Sequence, residues 1–221
     1  MALMKVAVIR FPGTNNEYET IRALRSFDVN CSIVDHKNVS EIGNYDGYWL
    51  AGGFSYADVL RAGAIAAKSQ IIEEISASEK PTLGICNGFQ ILTEAKLLPG
   101  ALLSNSSTRF ICKWVHLKIT DNTVFTEYYD RILKIPIAHF DGNLYVDTTQ
   151  ETQDFVKYCS PTGDINQQAN PNGSQDNIAG LLTGKGQFIG MMPHPERASF
   201  THQGSTDGRV IIQTFLNEVK R

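Results

Sequence analysis

Two short segments of the 221-residue chain hold residues whose types and spacing suit covalent catalysis: Gly84-Ile85-Cys86-Asn87-Gly88 and His194-Pro195-Glu196. A thiol becomes a strong nucleophile when a neighbouring base accepts its proton, and an imidazole oriented by a carboxylate is such a base. Cys86 follows a β-rich run, Pro81 to Ile85, and precedes a helical pattern carrying Phe89, Ile91 and Leu92. This is the form of a nucleophile elbow, in which glycines two residues to either side let the strand and helix backbones approach closely. Such a turn projects the Cys86 sulfur into solvent and sets the positive N-terminal end of the helix against it. It also aims the Asn87 backbone N–H at the place where a reacting carbonyl oxygen gains charge.

Pro195 disfavours helical geometry at His194, so the segment reads as extended, with residues 194 and 196 projecting to one face. Glu196 can then accept one imidazole N–H and leave the other ring nitrogen for the thiol proton. Two plainer readings compete, since a free cysteine is often simply buried and a His–Glu pair in a loop is often simply solvated. The flanking glycines favour the catalytic reading for Cys86, whereas Cys31, Cys112 and Cys159, each inside a strand-like run, read as packing residues. Gly53, in Trp49-Leu50-Ala51-Gly52-Gly53 directly after another candidate strand, offers a second oxyanion donor. Its peptide bond to Gly52 is flanked by glycines and can flip at little steric cost, a means of switching that donor. His36, His116, His139 and His202 show no metal-ligand spacing, and the four cysteines form no CxxC pair. FPGTNNE and AGGFSYAD lack the phosphate-loop arrangements. No metal and no nucleotide cofactor is therefore expected in this chain.

The elements that must position these residues follow from the pattern. Lys5 to Ile9, Cys31 to Val34, Gly47 to Leu50 and Pro81 to Ile85 read as strands, with helices over Glu17 to Phe27 and Ala57 to Ser76 between them. That alternation predicts a parallel sheet with its ligand site beyond the C-terminal strand ends. From Thr108 the segments RFICKWVHLKIT, KIPIAHF, NLYVD, DFVKYCS, NIAGLLTG and QFIGMMP read as mixed or antiparallel strands. Ile212, Phe215, Leu216 and Val219 form an i, i+3, i+4, i+7 stripe on a final helix. The fold class is α/β: one domain over 1–221, a mostly parallel central sheet flanked by helices, with antiparallel strands added in the C-terminal half.

With 20 Lys and Arg against 23 Asp and Glu, a net charge of −3 and no basic run, the composition argues against phosphate-driven nucleic-acid binding. No apolar window reaches the length of a membrane helix, and the start, MALMKVAVIRF, reads as a first strand rather than a signal peptide, which predicts a cytoplasmic protein.

GICNGFQ, together with GGFSYAD, RFICKWV, NPNGS and GMMPHPER, makes the chain resemble class I glutamine amidotransferases nearly end to end, and within them the glutaminase subunits of phosphoribosylformylglycinamidine synthases. HFDG stands where HGEG is common, and FPGTNNE where FPGSNCD is common. The resemblance implies a flavodoxin-like fold and a triad in which Cys86 attacks the side-chain amide of glutamine, His194 protonates departing ammonia and Glu196 orients the histidine. It implies oxyanion donors at Gly53 and Asn87, a substrate-holding role for Gln90, and a pocket bordered by His139 and Phe140. It further implies a large synthetase partner that uses ATP and Mg, a small bridging subunit, and ammonia passing between the active sites.

Overall fold

The computed structural model describes residues 4–147, 153–183 and 186–221. Its elements run β1 (Lys5–Arg10), α1 (Glu17–Arg25), β2 (Asn30–Asp35), β3 (Gly47–Leu50), α2 (Gln70–Ser78), β4 (Thr82–Ile85) and α3 (Asn87–Glu94). They continue with β5 (Ala101–Leu103), β6 (Ile111–Ile119), β7 (Ile132–His139), β8 (Asn143–Tyr145), β9 (Gln153–Cys159), β10 (Ile178–Thr183), β11 (Phe188–Met191) and α4 (Gly208–Lys220). Among the described residues, nine strands form one sheet in the order β2-β1-β3-β4-β11-β10-β9-β6-β7, and β5 pairs with β8 apart from it.

The sheet changes character along its width. From β2 through β1, β3 and β4 to β11 every pairing is parallel, and the remaining four are antiparallel. Every residue of β3, β4 and β11 is buried, as expected where helices cover both faces of a parallel sheet. On one face Phe215 of α4 meets Trp49 edge-on, ring centroids 5.9 Å apart. On the other, α3 lies so close that a methyl on Gly88 would collide with the Leu50 carbonyl oxygen, and one on Gly190 would collide with the Phe89 ring. β7 and the Val115–Ile119 half of β6 instead alternate buried with more exposed positions, the pattern of a sheet covered on one face, while the start of β6 is open to solvent.

The helix expected over Ala57 to Ser76 is shorter: only Gln70–Ser78 is α-helical, preceded by irregular turns. The cause lies in backbone partners. Phe54 and Tyr56 donate their N–H groups to the Gly13 and Pro12 carbonyls at 3.0 and 2.7 Å, so they are tied to a separate loop. Tyr56, Ala57, Asp58 and Leu60 all adopt positive φ, which no α-helix of L residues contains. α1 likewise ends at Arg25, short of Phe27. Gly184, included in one expected strand, and Met1 to Leu3 lie outside the described residues.

The contact at Gly88 makes the approach of α3 to β3 testable. Gly88→Ala is expected to lose at least about 3 kcal/mol of stability, the upper range of overpacking costs, because the new methyl meets backbone rather than a movable side chain. Urea denaturation followed by circular dichroism measures this; a loss below about 1 kcal/mol would mean that the strand and helix can separate freely.

Candidate active site

The three segments singled out by their chemistry emerge side by side. β3, β4 and β11 are adjacent and parallel, with Leu50 level with Gly84 and Ile85 level with Met191. Their C-terminal ends therefore deliver Gly52-Gly53, Cys86 and His194 to one place, the position where open parallel sheets bind ligands.

Cys86 is the single residue between β4 and α3. Its backbone sits at φ 53° and ψ −106°, a conformation costly for any side chain other than glycine and one that concentrates at functional sites. Packing enforces it: Cys86 N–H donates to Met191 O at 2.8 Å, and Gln90 N–H donates to Cys86 O at 3.1 Å. A methyl on Gly84 would lie 2.6 Å from Gly88 O, so both glycines of the elbow are required by the close approach. In contrast to the solvent-facing sulfur expected from the motif, Cys86 is 5% exposed and its Sγ points toward Ala138 O at 3.7 Å. Strand β7 lies over it.

His194 and Glu196, 2% and 1% exposed, meet at 2.6 Å between Nδ1 and Oε1. A carboxylate only accepts, so Nδ1 carries the proton and Nε2 is the nitrogen left for the thiol. Nε2 is buried and has no hydrogen-bond partner among the described residues. Burial disfavours the imidazolium, yet the charge of Glu196 and then that of Cys86 outweigh it, and His194 is held well above the ordinary histidine value. Glu196 shifts oppositely: burial opposes its ionisation, and the His194 charge and hydrogen bonds from His194 and Asn16 overcome this and lower its pKa. The pair is thus arranged to hold a proton on the ring beside the sulfur.

The expected oxyanion donors are fixed by two further sets of bonds. Gly53, at φ 149°, pairs with Thr14 in a bridge whose hydrogen bonds run through the neighbours, Asn15 N–H to Gly52 O at 3.3 Å and Phe54 N–H to Gly13 O at 3.0 Å. Asn16 N–H adds a second bond to Gly52 O at 3.2 Å. The low-cost peptide flip expected from the paired glycines meets this resistance, since it would break both bonds to that carbonyl. The Gly53 N–H, on the opposite edge of the same peptide plane, donates to no protein group among the described residues, and neither does that of Asn87. The two loops are latched together, with Asn87 Oδ1 accepting Ser55 N–H at 3.2 Å.

Gln90, 5% exposed, links this latch to the HFDG turn: Asn87 Nδ2 donates to its Oε1 at 2.9 Å and its Nε2 donates to Asp141 O at 2.7 Å. Phe140 is 42% exposed at the lip of that turn. His139 is buried, its Nδ1 3.0 Å from Asn105 Oδ1. Asn105 Nδ2 donates to the Arg109 and His139 carbonyls, so its oxygen must face the ring, and Nδ1 is the protonated nitrogen. Burial, and next the charge of His194, press the His139 pKa down to about 4.

Sequence reasoning gave no role to several residues that build the site. Asn16 Nδ2 donates to Glu196 Oε1 at 2.9 Å. Asn172 and Ser174, in the NPNGS motif, clamp Gly142 O at 2.7 and 3.1 Å and so hold the HFDG turn. The signal available was the clustering of Asn, Gly and Ser, types that bond backbone in turns, but nothing local names their partners. Cys31 and Cys159 are buried as expected; Cys112 is exposed, because its position on β6 falls where that strand is open to solvent. Among the described residues no group of three His, Cys, Asp or Glu side chains could hold a metal ion.

Beyond the ends of the parallel strands a cysteine elbow, a buried His–Glu pair and two N–H groups with no protein acceptor among the described residues come together, an arrangement suited to thiol attack on a carbonyl carbon. The family model described as CobB/CobQ-like glutamine amidotransferase domain matches residues 3–215, and the chain belongs to that family. The phosphoribosylformylglycinamidine synthase subunit PurQ of Pyrococcus horikoshii is 48% identical over 225 residues, covering 99% of this chain and all of that protein. The same subunit from Aquifex aeolicus is 44% identical over 230 residues, covering 97% of this chain. Among solved structures, a chain of PurLQS from Thermotoga maritima superposes with a TM-score of 0.87 at 37% identity, covering 98% of this chain and 99% of that one.

Two predictions follow the geometry. Glu196→Gln is expected to fold normally and to lose less turnover than His194→Ala, because an amide can still hold the ring but cannot stabilise its positive charge. Residues acting as one unit lose activity non-additively, so the double variant should be little worse than His194→Ala; steady-state kinetics showing additive losses would separate the two roles. His139 binds a proton near its ordinary value of 6.5 when unfolded but only near pH 4 when folded. Its share of stability is therefore present above pH 6.5 and disappears as pH falls through that window, on the order of 3 kcal/mol in all. Urea unfolding of wild type and His139→Gln between pH 7 and 4 should show the wild type losing more; parallel losses would contradict the assignment.

Proposed function

We propose that this chain is the glutaminase subunit of a phosphoribosylformylglycinamidine synthase in purine biosynthesis. The observation that carries the reading is the buried His194–Glu196 bond of 2.6 Å beside a cysteine held at the strained turn between strand and helix. The names of relatives 48% and 44% identical over essentially the whole chain supply the pathway.

Cys86 Sγ gives its proton to His194 Nε2 and attacks the side-chain amide carbon of glutamine. The carbonyl oxygen takes the negative charge and is received by the Gly53 and Asn87 N–H groups, each such donor typically worth about 2.7 to 4 kcal/mol of barrier. As the carbon–nitrogen bond breaks, His194 returns the proton to the nitrogen and ammonia leaves a cysteinyl thioester. Water then loses a proton to His194 and attacks the thioester, giving glutamate and the free thiol. Glu196 stabilises the imidazolium in both halves. The Gln90, His139 and Phe140 shell borders the glutamine pocket.

The ammonia passes to a large synthetase subunit, with a small third subunit in the assembly, a reading supported by the likeness to a chain of PurLQS from Thermotoga maritima. ATP and Mg belong to that synthetase, and this chain needs no cofactor of its own. The likeness to subunits of a purine-pathway enzyme supports a cytoplasmic location.

Cys86→Ala tests the division of labour. The assembled enzyme should lose glutamine-dependent synthesis, by at least about 10³-fold given what removal of a nucleophile costs, while synthesis from added ammonia continues. Substantial glutamine-dependent turnover by the variant would remove Cys86 as the nucleophile.

A further inference from the structure

Asn16 is 2% exposed and touches both halves of the site. Its amide orientation is fixed by chemistry: Arg197 Nη2 lies 3.1 Å from Oδ1, and a guanidinium only donates, so the oxygen faces Arg197. The nitrogen therefore faces Glu196 Oε1, at 2.9 Å. That same oxygen accepts the His194 Nδ1–H at 2.6 Å. The 3.1 Å separation between Asn16 Nδ2 and His194 Nδ1 is then the close approach of two donors converging on one oxygen rather than a third bond. Glu196 Oε2 is buried with no hydrogen-bond partner among the described residues, so the side-chain bonds that orient the carboxylate all fall on Oε1. On its backbone side, the Asn16 N–H holds Gly52 O at 3.2 Å and thereby the direction of the Gly53 peptide. Behind it, Arg197 is tied to Glu19 at 3.0 Å nearer the surface.

We propose that Asn16 is a positioning residue for the amide hydrolysis: its side chain locks the Glu196 carboxylate against His194, while its backbone N–H sets the oxyanion peptide. The proposal rests on the glutaminase reading above. One residue thus ties the orientation of the base to the orientation of the donor that receives the developing charge, and Arg197 keeps the amide from turning over.

The test uses Asn16→Leu, which removes the donor at similar size, and Asn16→Asp, which keeps the shape and replaces the donor with a charge. In the assembled enzyme Asn16→Leu should lower kcat for glutamine roughly 10- to 100-fold, the cost of a hydrogen bond to a charged group, with KM for glutamine and ammonia-dependent synthesis near wild type. Asn16→Asp sets two carboxylates at one site, which cannot easily both ionise, so the acidic limb of kcat/KM should move up by about one pH unit or more. A second readout needs no glutamine: the pH dependence of Cys86 alkylation by iodoacetamide in the isolated chain should shift in the same direction. A part that only supports the fold would alter the melting temperature and leave both pH profiles in place. If Asn16→Leu fails to fold, Asn16→Asp decides alone. Wild-type pH profiles in Asn16→Asp, or kcat within twofold of wild type in folded Asn16→Leu, would overturn the proposal. An alkylation profile that shifts while wild-type complex fails to use glutamine would instead count against the glutaminase reading and leave the positioning role supported.

Discussion

Cys86 reverses the chain from strand to helix in one residue, at a φ of 53°, and most of the architecture around it serves to make that conformation the stable one. The strained geometry persists because alternatives would separate α3 from the sheet. Gly88 lies against the Leu50 carbonyl and Gly84 against Gly88 O, contacts that leave no room for another residue or another path. Strain of about 1 to 3 kcal/mol is offset by the burial of Phe89, Ile91 and Leu92 on the far side of the same turn. The cysteine is thus held by the hydrophobic core, and its reactive geometry is as rigid as that core.

Rigidity at the elbow propagates outward through polar side chains rather than through further apolar packing. Asn87 joins the Gly53 loop to Gln90, Gln90 joins that pair to the HFDG turn, and Asn105, Asn172 and Ser174 hold the turn from behind. Amide side chains suit this task because each has donors and acceptors at fixed angles and carries no charge to disturb the His194–Glu196 pair. The two charged members, His194 and Glu196, compensate each other at 2.6 Å in a buried position, where a lone charge of either sign would be expensive. The proposed proton transfer and the stability of the buried pair therefore depend on the same contact.

The sheet itself is divided by function. Its parallel part brings three strand ends level and delivers the proposed nucleophile, base and oxyanion peptide. Its antiparallel part adds β7, whose Ala138 carbonyl lies over the Cys86 sulfur and whose Pro136 carbonyl accepts the His194 N–H at 2.8 Å. This second part converts an open crevice into a covered one, which is why the sulfur is buried rather than exposed.

The sequence by itself determined the elements with strong periodicity and the residues whose types are chemically unusual. The mostly apolar runs of β1, β3 and β4, the stripe on α4 and the glycine-flanked Cys86 all depend on residues within a few positions of one another. The Pro195 constraint on His194 is equally local. Only the tertiary structure decided what depends on distant partners. Ala57 to Lys68 is rich enough in alanine for a helix, but Phe54 and Tyr56, which lead into it, bond to the Gly13 and Pro12 carbonyls, some forty residues away, and start the segment in a different conformation. Cys112 and Cys159 occupy similar strand-like runs and differ in exposure because one lies at the open end of β6 and the other where β9 is covered. Asn16 lies 180 positions from Glu196, and nothing in FPGTNNE reveals that its amide ends against a buried carboxylate. Local propensity is written in neighbouring residues, whereas the partner of a buried polar group is set by which chain segments the sheet order places together.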